Sequence, residues 1–381
     1  MRCAPDSRGR DGAAAADQAE AKPLRILFSH RVPPPDRQSV QVQALVTAFL
    51  QEGHAVRVVG PATAFRWPLA TLAGNIPAYF RLRAACHDFA PDLIYERYDS
   101  TLLAGAVLAR GQHLPYILEV TGPLQPLASA LERFVWNSAD RILVGSNALR
   151  RAIVATGVDS ARVSVVPGGV VPEHFLPAPF AAANPHATGR CVIGIVEPVW
   201  DRRGPEAVIR AIAAPDAALA GEQPCLTVIG EGPACEELES LAATLGVGRQ
   251  LRVIRPVAPA LLPHLVAEFD IALQPSLPAY AAPAEIFAYM AAGCAIVAPD
   301  QPNIREILAD GQTALLFDPD REGAMWQAVA RLIGDAPLRA RLGAAARAEL
   351  ERCDYSWRGK AARIVRFASD RGGMPQFAQC L

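Results

Sequence analysis

Of the 37 basic side chains in this sequence only Lys22 and Lys360 are lysines, and they stand near its two ends. A lysine-centred phosphate site or a Schiff base in the body of the chain is therefore not expected. A bound anion would fall to arginines, helix N-termini or backbone amides. Arg202-Arg203, followed by Gly204 and a helical pattern from Pro205 to Ala213, fits that role, although two solvated arginines ahead of a helix would read the same way. Gly230-Glu231-Gly232-Pro233 lies between a strand pattern and a helical one, as a ligand-side turn or a plain tight turn would. His30, Glu96, Arg97, Glu119 and Thr121 fall at or just beyond the ends of predicted strands, where clefts in open sheets lie. A satisfied structural group is the competing account of each. Arg305-Glu306 reads as an ion pair at a helix start or as a ligand-orienting pair. No Gly-x-x-x-x-Gly-Lys-Ser/Thr loop, Gly-x-Ser-x-Gly elbow or His-Glu-x-x-His helix is present.

The eight cysteines form no Cys-x-x-Cys pair and have no histidine at zinc-ligand spacing, so they read as reduced thiols of a cytosolic protein. Asp318-Pro319-Asp320 reads as a turn after an apolar run rather than a metal site, and no metal or other cofactor is expected.

The elements that would position these residues alternate. Leu24 to Ser29, Ala55 to Val59, Asp92 to Tyr95, Tyr116 to Val120, Arg141 to Val144 and Val163 to Val166 are short apolar runs. Helical spacing from Ser39 to Glu52 separates the first two, and strand, helix, strand within so short a stretch is a βαβ unit with a parallel sheet. After a Pro- and Ala-rich stretch the alternation resumes at Val192 to Val196, Cys225 to Ile229, Leu251 to Ile254, Ile271 to Gln274 and Ala295 to Ala298, with a surface helix expected from Pro337 to Glu351. The fold class is therefore α/β, two tandem Rossmann-like domains with an inter-domain cleft. The expected division is a disordered tail at 1–22, a first domain at 23–173, a linker at 174–190, a second domain at 191–352 and a C-terminal segment at 353–381.

A length of 381 residues suits two such domains, and 37 basic against 38 acidic side chains argue against a nucleic-acid partner. The most apolar uncharged stretch, Ile286 to Pro299, is too short to span a bilayer and suits a buried segment. Mean hydropathy is nevertheless positive, so the apolar excess sits in a core or on a surface touching lipid or protein. Trp67 to Arg83 is the candidate membrane-facing surface, with a core helix as the alternative. The N-terminal stretch, Ala-rich with interspersed Asp and Arg, lacks the apolar segment of a signal peptide.

A set of short segments in fixed order resembles the family 4 glycosyltransferases of the GT-B fold, from Leu24 to Trp357. They are Ile26 to His30 with Pro33 to Asp36, Glu52 to Val56, Pro91 to Tyr98, Ala139 to Arg141, and Val166 to Val170. Ile229 to Pro233, Tyr289 to Gly293, Asn303 to Glu306 and Tyr355 to Trp357 continue them. The resemblance implies a retaining, metal-independent transfer of a sugar from a nucleotide-sugar donor to a glycan or lipid-linked acceptor. Arg203 stands where the family carries a diphosphate-clamping lysine, with Arg202 beside it and Pro198 at the usual arginine position. Amides near Gly194, with Glu231, Glu285, Ile286 and Phe287, complete the expected donor side. His30 and Glu119 are the candidate catalytic groups, and Asp36, Arg97 and Thr121 the acceptor contacts.

Three departures from the family pattern bear on activity. The ribose-binding glutamate position is Ala288, its partner position about two helical turns earlier is Tyr280, and Arg37 replaces a common glycine. An alanine side chain accepts no hydrogen bond, and Glu285, one turn back on the same helix face, is the candidate substitute. The alternative function is a catalytically impaired partner or regulator of another glycosyltransferase.

Overall fold

The computed structural model describes residues 22–32, 37–60, 74–98, 103–122, 130–175, 190–196, 202–214, 223–255, 257–281 and 284–369. They form two successive six-stranded sheets, each parallel throughout. The first comprises β1 (Arg25–Ser29), β2 (Ala55–Val59), β3 (Leu93–Arg97), β4 (Tyr116–Val120), β5 (Arg141–Val144) and β6 (Val163–Val165), in the order β2-β1-β3-β4-β5-β6. Its helices are α1 (Arg37–Gln51), α2 (Asn75–Phe89), α3 (Ala104–Gln112), α4 (Ala130–Ser138) and α5 (Asn147–Val154). Right-handed crossovers put α1 on one face and α2 to α5 on the other, because the chain steps outward once to β2 and then back across β1. The side-chain period of two sorts the strands accordingly: Ile26 and Phe28 pack toward α1, Leu27 toward α2 and α3.

The second sheet comprises β7 (Arg190–Val196), β8 (Gln223–Ile229), β9 (Leu251–Ile254), β10 (Ile271–Leu273), β11 (Ala295–Pro299) and β12 (Leu315–Phe317), in the order β12-β11-β10-β7-β8-β9. Around it stand α6 (Arg203–Ile212), α7 (Ala234–Thr244), α8 (Leu262–Val266), α9 (Ala284–Ala292), α10 (Pro302–Arg305), α11 (Ala324–Ile333) and α12 (Ala336–Arg352). Each sheet has one point where the chain reverses its direction of growth, between β1 and β3 in the first and between β7 and β10 in the second. Loops diverge there and leave a crevice beyond the carboxyl ends of the strands.

The chain crosses between the lobes near Val170 and again at Ser356. The crossings are stitched together: Val170 N–H donates to the Tyr355 carbonyl at 3.1 Å and Trp357 N–H to the Val170 carbonyl at 3.0 Å. A Cβ on Gly169 would stand 2.5 Å from the Ser356 carbonyl carbon, so only glycine permits this approach. The last helix, α13 (Trp357–Ser369), returns to the first lobe, where Ala361, Ile364 and Val365 join Phe28, Phe49 and Tyr95 in one core.

The expected surface helix is α12, which leaves Ala340, Arg341, Ala344, Ala348 and Glu351 exposed and turns its other face inward, burying Leu338, Leu342, Gly343, Ala346 and Leu350. Gly343 lies so close to the backbone after α9 that an added Cβ would be 2.0 Å from the Gly293 carbonyl oxygen. The strand β12 was not anticipated, because three residues carry too little periodicity to separate strand from loop.

Candidate active site

The crevice of the second lobe is built from the loops after β7 and β10. Of the first loop, Arg202 and the start of α6 are described. Gly204 packs directly on the second loop, where an added Cβ would be 2.3 Å from Pro275 Cβ. Arg203, the first residue of α6, is therefore exposed at the reversal point. The guanidinium of Arg202 is engaged elsewhere, with Glu206 at 3.1 Å and Glu237 at 2.5 Å. Helix α9 begins at Ala284, after the loop that follows β10, and its dipole puts a partial positive charge at that end. Glu285 stands half-buried in that turn. Glu231 is exposed in the turn after β8, one strand away from the crevice.

Several donor-side expectations change. Gly194 is an interior residue of β7, paired with Thr227 and Ala272. The Phe269 ring fills the space a side chain would take there, 2.0 Å from an ideal Cβ, so this glycine serves packing and not anion contact. The side chains of Ile286 and Phe287 are fully buried in the second-lobe core, with the Phe287 ring against Tyr355 at 5.1 Å. Ala288 is buried in the same core.

In the first lobe the ends of β1, β3 and β4 converge. His30 follows β1, and its Nδ1 accepts from Val32 N–H at 3.2 Å. Burial, reinforced by the charge of Arg97, lowers its pKa. A neutral ring with Nδ1 engaged as acceptor carries its proton on Nε2, so His30 presents a donor, not a base. Nε2 lies toward Gly60, 3.3 Å from where a Cβ would be. Arg97 is buried at the end of β3 and donates to Gln41 Oε1 of α1 at 2.8 Å. Thr121 is exposed just beyond β4, and Asp36 lies outside the described residues.

Glu119 departs from its expected catalytic role. Its side chain turns inward to Lys360 of α13, with Nζ and Oε1 2.5 Å apart and side-chain exposures of 4% and 8% for Lys360 and Glu119. Burial would raise the Glu119 pKa, but the Lys360 ammonium and Arg97 guanidinium, with the hydrogen bond from Lys360, hold it at about 2. A carboxylate so fully occupied fastens α13 to the first sheet. Glu96 is likewise buried and accepts from the Tyr116 hydroxyl at 2.6 Å.

The loops beyond the carboxyl ends of the two sheets meet each other. Ser146, after β5, donates to the Tyr280 carbonyl at 2.7 Å, and Asn147 N–H lies 3.1 and 2.9 Å from the two Glu306 carboxylate oxygens. Arg305 pairs instead with Asp300, so the neighbours Arg305 and Glu306 do separate work. A Cβ on Gly168 would be 3.8 Å from the Phe287 ring. Sequence reasoning missed Lys360, Gln41, Ser146 and Asn147. Lys360 had one available signal: it interrupts the apolar face that Ala361, Ile364 and Val365 give α13.

Two Rossmann-like lobes whose loops meet beyond the carboxyl ends of their strands, with an exposed arginine opening α6, have the arrangement of the GT-B class of transferase. Family comparison agrees in both halves: a profile described as "Glycosyl transferase 4-like domain" matches residues 35–169, and one described as "Glycosyl transferases group 1" matches residues 190–335. The chain belongs to the family 4 glycosyltransferases and is an enzyme of the hexosyltransferase type.

Among its relatives is a GDP-mannose-dependent alpha-(1-6)-phosphatidylinositol monomannoside mannosyltransferase of Mycolicibacterium smegmatis. It is 27% identical over 66% of this chain and 68% of its own length. A D-inositol 3-phosphate glycosyltransferase of Corynebacterium urealyticum is 26% identical over 81% of this chain and 77% of its own. Among solved structures, HepE of Anabaena in complex with UDP superposes with a TM-score of 0.70 at 18% identity, covering 91% of this chain and all of HepE. A glycosyltransferase of Rickettsia africae gives 0.75 at 12% identity, covering 92% of this chain and 98% of that one. At these identities the solved structures speak to the fold alone. The reading of the chain as an inactive partner of another transferase finds no support in these comparisons.

Proposed function

We propose that the enzyme moves a sugar from a nucleotide-sugar donor to a glycan or lipid-linked acceptor, with retention at the anomeric carbon and without a metal ion. The observation that carries this reading is the reversal point between β7 and β10, where α6 begins with the exposed Arg203 and the loop after β10 packs against Gly204. As the bond from sugar to diphosphate breaks, negative charge grows on the departing oxygens, and fixed donors aimed at that point lower the barrier. The bond that forms is to an acceptor hydroxyl oxygen, whose proton leaves with the diphosphate.

The first-lobe end of the cleft, with the His30 Nε2 donor and Thr121 near Arg97, is the acceptor side. The names of the relatives, which refer to an inositol phosphate and a phosphatidylinositol mannoside, support a polyol acceptor. Metal independence is supported by the Asp318-Pro319-Asp320 segment, where Asp318 Oδ1 accepts from Asp320 N–H at 3.0 Å and so closes a turn. Retention comes from the family resemblance. We place the enzyme in the cytoplasm, in peripheral contact with the membrane, a location that the free thiols of the described cysteines fit.

Calorimetry with a panel of UDP- and GDP-sugars, followed by turnover assays, tests the reading. Arg203→Ala should reduce donor turnover by roughly 100-fold or more while leaving Tm nearly unchanged, because its side chain is exposed. Unaltered turnover removes Arg203 from the mechanism. No binding of any nucleotide sugar at millimolar concentration overturns the donor assignment.

A further inference from the structure

The contact between Ser146-Asn147 and the second lobe is built more carefully than passive apposition requires. Ser146 caps α5 in extended backbone conformation and accepts from Leu149 N–H at 3.2 Å. The same hydroxyl gives its proton to the Tyr280 carbonyl, 134 residues away, so both of its hydrogen-bonding functions are used in a site only 1% exposed. The next residue offers its amide to Glu306, which places a carboxylate at the positive end of the α5 dipole. Burial of Glu306 opposes its charge, and the Asn147 amide and the nearby Arg151 favour it.

On the second lobe the partners belong to one assembly. Tyr280 lies in the loop 275–281 between β10 and α9. That loop is held by Gln274, whose Nε2 donates to the Ser276 carbonyl at 2.8 Å. It is also held by Asn303, whose Nδ2 donates to the carbonyls of Pro278 at 3.2 Å and Ala281 at 2.8 Å. Asn303 sits in α10 and Glu306 directly follows it, so one short helix grips the loop and the first lobe together. At its other side the loop touches Gly204 at the start of α6, beside Arg203.

We propose that Ser146, the Asn147 amide and Glu306 form an inter-lobe latch. Through Tyr280 and α10 it positions loop 275–281 and thereby the group bound between Arg203 and the start of α9. Ser146 and Glu306 are positioning residues in this account, since neither faces the crevice itself. The placement of the bound group rests on the donor reading given above; the latch does not.

Hydrogen exchange followed by mass spectrometry on the full chain separates the two. Coupling across the contact is reciprocal, so each variant is read in the opposite lobe. Glu306→Ala should raise exchange in residues 147–150, and Ser146→Ala in residues 276–281, by roughly tenfold, the scale of one hydrogen bond to a charged or buried partner. The β1 and β7 amides should be unchanged. Ser146→Thr, which keeps the hydroxyl, should restore the wild-type pattern, and the double alanine variant should be little worse than the worse single. UDP or GDP should slow exchange in residues 147–150 of the wild type and fail to do so in Glu306→Ala. Variant effects confined to the mutated lobe overturn the latch. If neither nucleotide binds the wild type while the cross-lobe effects hold, the latch stands and the donor assignment falls. If a nucleotide binds and protects both proteins equally, the latch does not position the bound group.

Discussion

Glu119 stands near the carboxyl end of the central strand β4 and Lys360 in α13, and their charges are turned on each other. Taking two ions out of water is costly, and close pairing recovers that cost only while both partners remain. Lys360→Ala should therefore destabilise the protein by about 3–5 kcal/mol, because it strands a buried carboxylate. Glu119→Gln with Lys360→Met should recover much of the loss, since a neutral pair leaves no charge to solvate. Denaturant titration of the three proteins checks this. The pair also has a pH signature. Glu119 is held at about 2, below its unfolded value, so its contribution is full above the unfolded pKa of about 4.3 and fades as pH falls toward 2. A shift of that size corresponds to ~3 kcal/mol of the stability at neutral pH. The wild type should lose stability between pH 4 and 2 more steeply than Glu119→Gln, and equal slopes would show that Glu119 carries no such coupling.

At the scale of elements, Gly194 is the sharpest test of packing against binding. Its Cβ would enter the Phe269 ring, so Gly194→Ala should cost about 1–3 kcal/mol and lower Tm by several degrees. Adding Phe269→Leu should restore part of the loss. A weakened UDP or GDP affinity at unchanged Tm would return Gly194 to the donor site. The sequence announced most strands of both sheets because buried parallel strands are short unbroken apolar runs, as in Ile94-Tyr95 and Leu226 to Ile229. It also marked the start of α6, where Arg202-Arg203-Gly204 precedes a helix. Glu119 and Gly194 were misassigned for a common reason: strand-end position places a residue near the cleft but does not say which way it turns or what already fills the space. Lys360 stayed hidden because it meets Glu119 across 241 residues of chain, and Ser146 meets Tyr280 across 134. Hydrogen-bonding side chains at such separations leave no periodic trace.

For the whole molecule, the question is which surface faces the acceptor's surroundings. No described helix is long and apolar enough to cross a membrane. Three adjacent helices on one face of the first lobe nevertheless expose large apolar side chains: Ile76 (66%) and Phe80 (59%) on α2, Val107 on α3 and Leu131 on α4. Each lies in the first half of its helix, hence toward the carboxyl ends of the strands and the cleft. Exposed Arg83, Arg110 and Arg133 lie on the same helices, with Arg110 over the Phe134 ring at 5.5 Å. The exposed acids Asp88, Asp92 and Asp140 stand at the opposite ends of these elements. Such a gradient fits an anionic bilayer surface, with the apolar rim inserted near the cleft and the guanidinium groups at headgroup level. Vesicle flotation measures this. The wild type should float with phosphatidylcholine–phosphatidylglycerol vesicles and not with phosphatidylcholine alone. Ile76→Asp with Phe80→Asp should weaken binding by roughly 100-fold, and each arginine removed by about fivefold in low salt, while nucleotide binding in the cleft is untouched. A wild type that ignores anionic vesicles would refute the assignment. So would a double variant that binds them as well as wild type, or one whose only change is from dimer to monomer, which would make this face a contact between copies of the chain.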